Sequence, residues 1–380
     1  MKLYALACMA LLFACKPAAP TVWHTGLQYI YAYDSSRHFD TASTSARYYR
    51  PVKIDLFYPT EDSSGTPIIY GDIMDQYEKR MDYQVSADSC KKSSRMIASI
   101  FTEYMHLDSV DRLLRYPLTI GLNRTRPAGH FPVIIYAAGM NGSSWENPLL
   151  FERLTQKGYV VAAVSSVGLF PGFMSGAEDI KEQVEDILFV KRFLQDSVPF
   201  ADTRHTGLLS WSLGGTAITK AAMLDTSIQC LLSFDGTETH YYGFDTAWDR
   251  QYDQILQLPP YTPEKIRMPY MYLSSGRSGD SNSIYFFPAH INSRDKYFLR
   301  FANAIHEDFS CLPYIIQRQQ PSIKGPYLQN TADISQLTLS FFDQYLQKQP
   351  KANTAALIQD LVKRDSVQYS TLIPSPSAGR

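Results

Sequence analysis

Apolar positions along the second half of the sequence fall into two alternating patterns. Short continuous runs at 131–137, 159–165, 206–210, 230–234, 270–274 and 297–301 are rich in β-branched and aromatic residues. Continuous apolar character, in place of strict alternation, is what a strand covered on both faces carries, so these runs predict buried parallel strands. Between the second and third runs, residues 177–194 place Ile180, Val184, Ile187, Leu188, Val190 and Leu194 at helical spacing with charge on the opposite face. That spacing predicts a crossover helix. Strands joined by crossover helices give an α/β class with a mostly parallel, doubly wound sheet.

Upstream, 27–33 and 52–58 read as antiparallel edge strands, the second stopped by Pro59. Residues 71–125 fit no strand series: 74–85 and 95–114 look helical and are rich in Met, Tyr and charge, which predicts a helical insertion or lid. A second insertion, 237–269, is aromatic (Tyr241, Tyr242, Phe244, Trp248, Tyr252) and contains Pro259, Pro260 and Pro263. Residues 334–346 form an amphipathic helix and 374–380 a frayed tail. The expected organisation is a leader at 1–20, one domain at 21–347 carrying both insertions, and a C-terminal helix and tail at 348–380.

The leader has its own pattern. Lys2 precedes an apolar run, Leu3 to Phe13, shorter than the about 20 residues of a membrane-crossing helix and of the length of a secretory signal's apolar region. The run ends Leu12-Phe13-Ala14-Cys15, similar to a bacterial lipobox, in which the Cys thiol is acylated and becomes the mature N-terminus. Phe13 departs from the small residue usual there, and ordinary cleavage near Ala18 or Ala19 is the alternative. Both readings predict export, either to a periplasmic or cell-surface position with a lipid anchor at Cys15 or as a secreted protein.

Composition narrows the rest. A chain of 380 residues that is 45% apolar and 13% aromatic can bury a sizeable core, which excludes a disordered or disulfide-stapled class. Lys and Arg number 36 against 37 Asp and Glu, a net charge of -1 that supplies no attraction for nucleic acid. A small, weakly charged partner is expected. Outside the leader stand Cys90, Cys230 and Cys311. An oxidising compartment permits one disulfide, and Cys90 with Cys311 is favoured because Cys230 opens a strand at the other end of the sheet. Three buried free thiols are the alternative.

The chemistry centres on Thr206-Gly207-Leu208-Leu209-Ser210-Trp211-Ser212-Leu213-Gly214-Gly215, where a strand runs into a sharp turn holding a Ser and then into a helix of small residues. This is a nucleophile elbow, with Ser210 at the first position of the G-x-S-x-G pattern. A serine hydroxyl is a poor nucleophile at neutral pH, so Ser212 requires a His to take its proton and a carboxylate to orient that His, in the chain order Ser, acid, His. Of His240, His290 and His306, the last leaves the final predicted strand and is the expected base. Asp235 and Asp280 both follow strands, and the rigid strand end favours Asp235 over the polar turn that holds Asp280. The developing oxyanion needs backbone donors: Leu213, directly after the nucleophile, and Met140, with Asn141 next in line, from the loop after 131–137. The His and Cys residues show no metal-ligand spacing, and no cofactor is expected.

At these residues the chain resembles the α/β-hydrolases, in the branch containing platelet-activating-factor acetylhydrolases and dienelactone-hydrolase-like esterases. The resemblance covers about 27–347 and rests, beside the elbow, on Tyr33-Asp34-Ser35-Ser36-Arg37, on 50–59, on 131–139 and on Lys157-Gly158-Tyr159-Val160-Val161-Ala162. It implies an α/β-hydrolase fold, an acid at the end of the strand after the elbow, which matches Asp235, and a histidine in an H-x-x-F loop, which matches His306 and Phe309. The chain departs from the family where its His-Gly stands as Ala138-Gly139 and its Gly-His as Ser210-Trp211, and the two insertions carry nothing over. The expected function is an exported serine carboxylesterase acting on a small ester. A peptidase or amidase on the same triad, and an inactive hydrolase fold binding a glycan or polymer, are the alternatives.

Overall fold

Apolar runs that carry residues of both parities can bury both faces, and the strands do so. The computed structural model describes residues 22–369 except 41, 43, 46–47, 170–171, 175–176, 239, 242–245, 260, 277–283, 286, 351 and 365–366. The leader with Cys15, the tail 374–380, Asp280, Tyr242 and Phe244 lie outside the described residues. The strands are β1 (His24–His38), β2 (Tyr49–Thr60), β3 (Pro67–Ile69), β4 (Pro117–Leu122), β5 (Phe131–Ala137), β6 (Val160–Val164) and β7 (Ala201–Trp211). They continue with β8 (Cys230–Phe234), β9 (His240–Tyr241), β10 (Tyr270–Ser275), β11 (Ile284–Tyr285), β12 (Lys296–Phe301) and β13 (Gln368–Tyr369).

One sheet runs in the order β13-β12-β10-β8-β7-β5-β6-β2-β1-β4-β3, while β9 and β11 pair separately. From β6 through β5, β7, β8 and β10 to β12 every neighbour is parallel, as the apolar runs predicted. Val133, Ile135 and Leu208 enter the core on one face, beneath the crossover helix Ala177–Ser197 and the helix Gly214–Leu224. Ile134, Tyr136 and Leu209 enter the core on the other, with Phe151, Ile315, Phe341 and Leu361 of four further helices, 148–156, 312–319, 327–345 and 354–363.

Five expectations are corrected. β1 and β2 pair antiparallel as anticipated but are not edges: β4 adds parallel to β1, with Thr25 opposite Ile120, and β3 closes the sheet outside it. The region 71–125 therefore contains a strand, in which Leu118 and Ile120 point into the core while Pro117 and Thr119 face outward. The helix expected over 95–114 is two, Ala87–Tyr104 and Val110–Leu114, because the chain reverses at His106, whose φ of 57° lies in the left-handed region. Over 74–85 there is only a helical end and a single 3-10 turn, Glu78–Arg80. Finally, Cys90, Cys230 and Cys311 are buried free thiols, so the Cys90–Cys311 bridge is absent. Cys311 points at the Trp145 carbonyl, 3.6 Å away, while Cys90 lies on the insertion helix near Lys79 and Asp75.

A buried ion cluster sets the loop after β6. Arg50 on β2 donates to Asp186 on the crossover helix at 2.6 and 3.1 Å, and to the carbonyls of Val167 and Gly168 at 2.6 and 2.5 Å. Arg37 on β1 adds a bond to Asp186 at 2.6 Å. Both members of the Arg50–Asp186 pair are almost wholly buried, and every donor that leaves water finds a partner here.

Candidate active site

β7 delivers Ser212 at its C-terminal end, on the turn before the helix Gly214–Leu224. The residue has φ 54°, a strained conformation for a side chain with a Cβ, and three bonds hold it there. Its N–H donates to the Phe234 carbonyl at 2.9 Å, and its carbonyl accepts from Gly215 at 3.0 Å and Thr237 at 3.2 Å. Gly214 is required by close approach: a Cβ there would lie 2.3 Å from the Ala137 carbonyl oxygen at the end of β5. Ser210, where the elbow pattern has Gly, is fully buried and its hydroxyl meets that of Ser233 at 3.4 Å.

Asp235 follows β8 with φ 44° and anchors its N–H on the Leu273 carbonyl of β10 at 2.7 Å. Its carboxylate accepts the Ser275 N–H at 2.9 Å and the Ser275 hydroxyl at 2.7 Å, and lies 2.7 Å from His306 Nδ1. Burial alone would raise this carboxyl, but the bonds from His306 and Ser275 outweigh it and hold Asp235 below its ordinary value. The carboxylate therefore stays ionised beside a His306 ring that remains 35% exposed.

His306 opens a 3-10 turn, His306–Phe309. Asp308 fixes the turn by accepting the Ile305 N–H at 2.9 Å and the Asn330 amide at 3.1 Å, while Phe309 packs against Phe234 and Phe301. Trp211 stacks on the imidazole. His290 ends a short helix, Phe287–His290, on the surface, and His240 lies on β9.

The loop after β5 brings Met140 to the same end of the sheet. Met140 is partly exposed and Leu213 buried, and among the described residues no protein acceptor takes the N–H of either. Asn141, the second choice as donor, also ties two loops together through its side chain and its carbonyl. With φ 56° it clasps the backbone of Met174 in both directions, at 2.8 and 3.2 Å, and its carbonyl accepts the Tyr77 hydroxyl at 2.8 Å. The loop after β6 is thereby tied to the loop after β5, and it exposes Leu169 and Phe173.

Sequence reading missed Ser275, Glu146, Gln183 and Tyr77. Gln183 donates to the Ala138 carbonyl at 2.7 Å, and Glu146 accepts the Gly139 N–H at 3.2 Å. Both sit in polar stretches, Lys181-Glu182-Gln183 and Ser144-Trp145-Glu146-Asn147, where a polar residue carries no signal of its own. Among the described residues, no cluster of three or more His, Cys, Asp and Glu side chains forms a metal site.

A scan against protein-family models finds no match, and a search of curated proteins finds no similar sequence. Among solved structures, a ferulic acid esterase from Streptomyces cinnamoneus superposes with a TM-score of 0.63, over 93% of this chain and 98% of that chain, at 18% sequence identity. The chain has the α/β-hydrolase fold. In this hydrolase fold the ends of β5, β7 and β8 and the turn after β12 carry the four pieces assembled above.

Proposed function

We propose that this chain is a serine carboxylesterase, and the observation that carries the reading is the 2.7 Å contact of buried Asp235 with His306 beside a strained Ser212. A carboxylate on Nδ1 orients the ring so that Nε2 faces the nucleophile, and stabilises the imidazolium once it forms. The Ser212 oxygen attacks the ester carbonyl carbon while His306 Nε2 takes its proton. The oxyanion of the tetrahedral intermediate falls to the N–H groups of Met140 and Leu213. The intermediate collapses, the alkoxide leaves with the proton from His306, and an acyl-serine remains. Water then attacks that acyl group, giving its proton to His306, and the acid leaves as Ser212 is restored.

The substrate class follows from what surrounds the site. Met140, Leu169 and Phe173 expose apolar surface on the two joined loops, which suits an ester with an apolar acyl or alcohol portion. The solved neighbour is a ferulic acid esterase, so an aromatic acyl group is the first arm to try. The acetylhydrolase and dienelactone-hydrolase-like branch supplies the second, a short acyl group. The leader adds export, with a lipid anchor at Cys15, to this proposal.

A fluorophosphonate probe with mass spectrometry of the adduct tests it, with Ser212→Ala and His306→Ala alongside and hydrolysis of p-nitrophenyl and hydroxycinnamate esters as the readout. Labelling at Ser212 that both substitutions abolish is expected. A folded chain that takes no label and cleaves no ester would overturn the enzyme reading and favour glycan or polymer binding.

A further inference from the structure

A second carboxyl lies under the site and the triad chemistry does not use it. Glu146 is 1% exposed, on the 3-10 turn Ser144–Glu146 that follows the oxyanion loop. It accepts the Tyr136 hydroxyl of β5 at 2.6 Å and the Gly139 N–H at 3.2 Å. Gly139 is the residue before Met140, and a Cβ built on it would lie 3.2 Å from the Glu146 carboxyl and 3.4 Å from the Ser212 Cβ. At Gly142 a side chain would collide with the same carboxyl. The two glycines of the loop are thus wrapped on Glu146, and Gly139 lies against the Ser212 side chain.

The same segment also holds the histidine turn. The Glu146 carbonyl accepts the Cys311 N–H at 2.7 Å, and the Asn147 amide donates to the Phe309 carbonyl at 3.0 Å and to the Tyr136 hydroxyl at 3.3 Å. Tyr70, buried at the start of the helix Tyr70–Met74, secures the turn by donating to the Trp145 carbonyl at 2.8 Å. Two loops that must be registered to within a fraction of an ångström for the oxyanion donors and the base to serve one substrate therefore share one support.

We propose that Glu146 is a positioning residue that sets the Met140 donor against the His306 turn through its bonds to Gly139 and Tyr136. The inference rests on the esterase reading. The Glu146 carboxyl is fully buried and pushed up to about 8 by that burial, against the opposing bonds from Tyr136 and Gly139 and the charge of His306. The other titratable groups facing it are Tyr70 and Tyr77, on the segment after β3, and Cys311, just after the histidine turn, all of them held neutral by burial. A neutral acid near neutral pH supports the loop without setting a negative charge beside the developing oxyanion. Ionisation above that range adds the charge, so turnover should fall on the alkaline side with Glu146.

The test compares Glu146→Gln and Glu146→Ala with the parent chain in kcat and KM on a p-nitrophenyl ester from neutral to alkaline pH, with hydrogen exchange at the Gly139 amide. Glu146→Gln keeps the acceptor and lacks the charge. It should hold neutral-pH kcat and lose the alkaline fall. Glu146→Ala should lose about 100-fold in kcat with little change in KM, as for a lost oxyanion donor, and its Gly139 amide should exchange faster. An alkaline limb that persists in Glu146→Gln, or a folded Glu146→Ala with unchanged kcat and Gly139 exchange, overturns the proposal. If the parent chain cleaves no ester, the esterase reading fails by itself, and Gly139 exchange still decides whether Glu146 holds the loop.

Discussion

The indole of Trp211 lies on the imidazole of His306, with ring centroids 5.0 Å apart and planes 29° apart, and its Nε1–H donates to the His306 carbonyl at 3.2 Å. One residue before Ser212 thus holds both the ring and the backbone of His306. The resemblance placed a histidine where Trp211 stands, and the indole supplies the packing surface there.

Trp211→Phe keeps a ring for His306 to lie on and removes the hydrogen bond, whereas Trp211→Ala removes both. We expect kcat on a p-nitrophenyl ester to fall about tenfold in Trp211→Ala and less in Trp211→Phe, since sub-ångström displacement of a catalytic base is costly. Steady-state kinetics on both variants measures it. Equal activity in parent and Trp211→Ala would reduce the stack to packing.

In the proposed esterase Asp235, at a strand end, fixes the His306 tautomer, so Asp235→Asn should cost about 10,000-fold in kcat with the chain still folded. Asp280→Asn should leave kcat near the parent value. Swapped outcomes would move the acid to Asp280.

Two buried carboxyls make stability depend on pH in an unusual direction. Burial pushes Glu146 up to about 8 and Glu238 up to about 7, the latter against bonds from Ser233 and Tyr270. In the unfolded chain both ionise at about 4.3, so between that value and their folded values the native state holds more protons. Stability from these groups is complete at low pH and is lost as pH rises through about 7 and then about 8. Asp235 has the opposite sign: its contribution exists above the ordinary carboxylate range and disappears as pH falls through its lowered value. Calorimetric Tm should peak in mild acid and decline toward alkaline pH, and Glu238→Gln should flatten the decline. A Tm that climbs steadily from mild acid to pH 8 would contradict the two assignments.

Much of the fold was legible because its signals are local. The six apolar runs, the helical spacing over 177–194 and the small residues after Ser212 each report on neighbours in sequence, and the strands and the elbow turn formed where they pointed. β4 escaped notice because a six-residue strand of mixed polarity inside a charged, helical region has no pattern of its own; pairing with β1 makes it a strand. The helix over 95–114 looked continuous because periodicity carries no signal for the left-handed turn at His106.

The sequence by itself determined the α/β class, where along the chain the central strands lie and a serine placed on a turn between strand and helix, since period, turn residues and small side chains act over a few positions. Only the tertiary structure decided which groups meet. Asp235 reaches His306 across 71 residues and Asn147 reaches Phe309 across 162. Cys90 and Cys311 stay apart on different elements, and Glu146 lies beneath Gly139. Those distances follow from how the sheet twists and how the loops pack at its end, a property of the whole assembly that no short window of sequence contains.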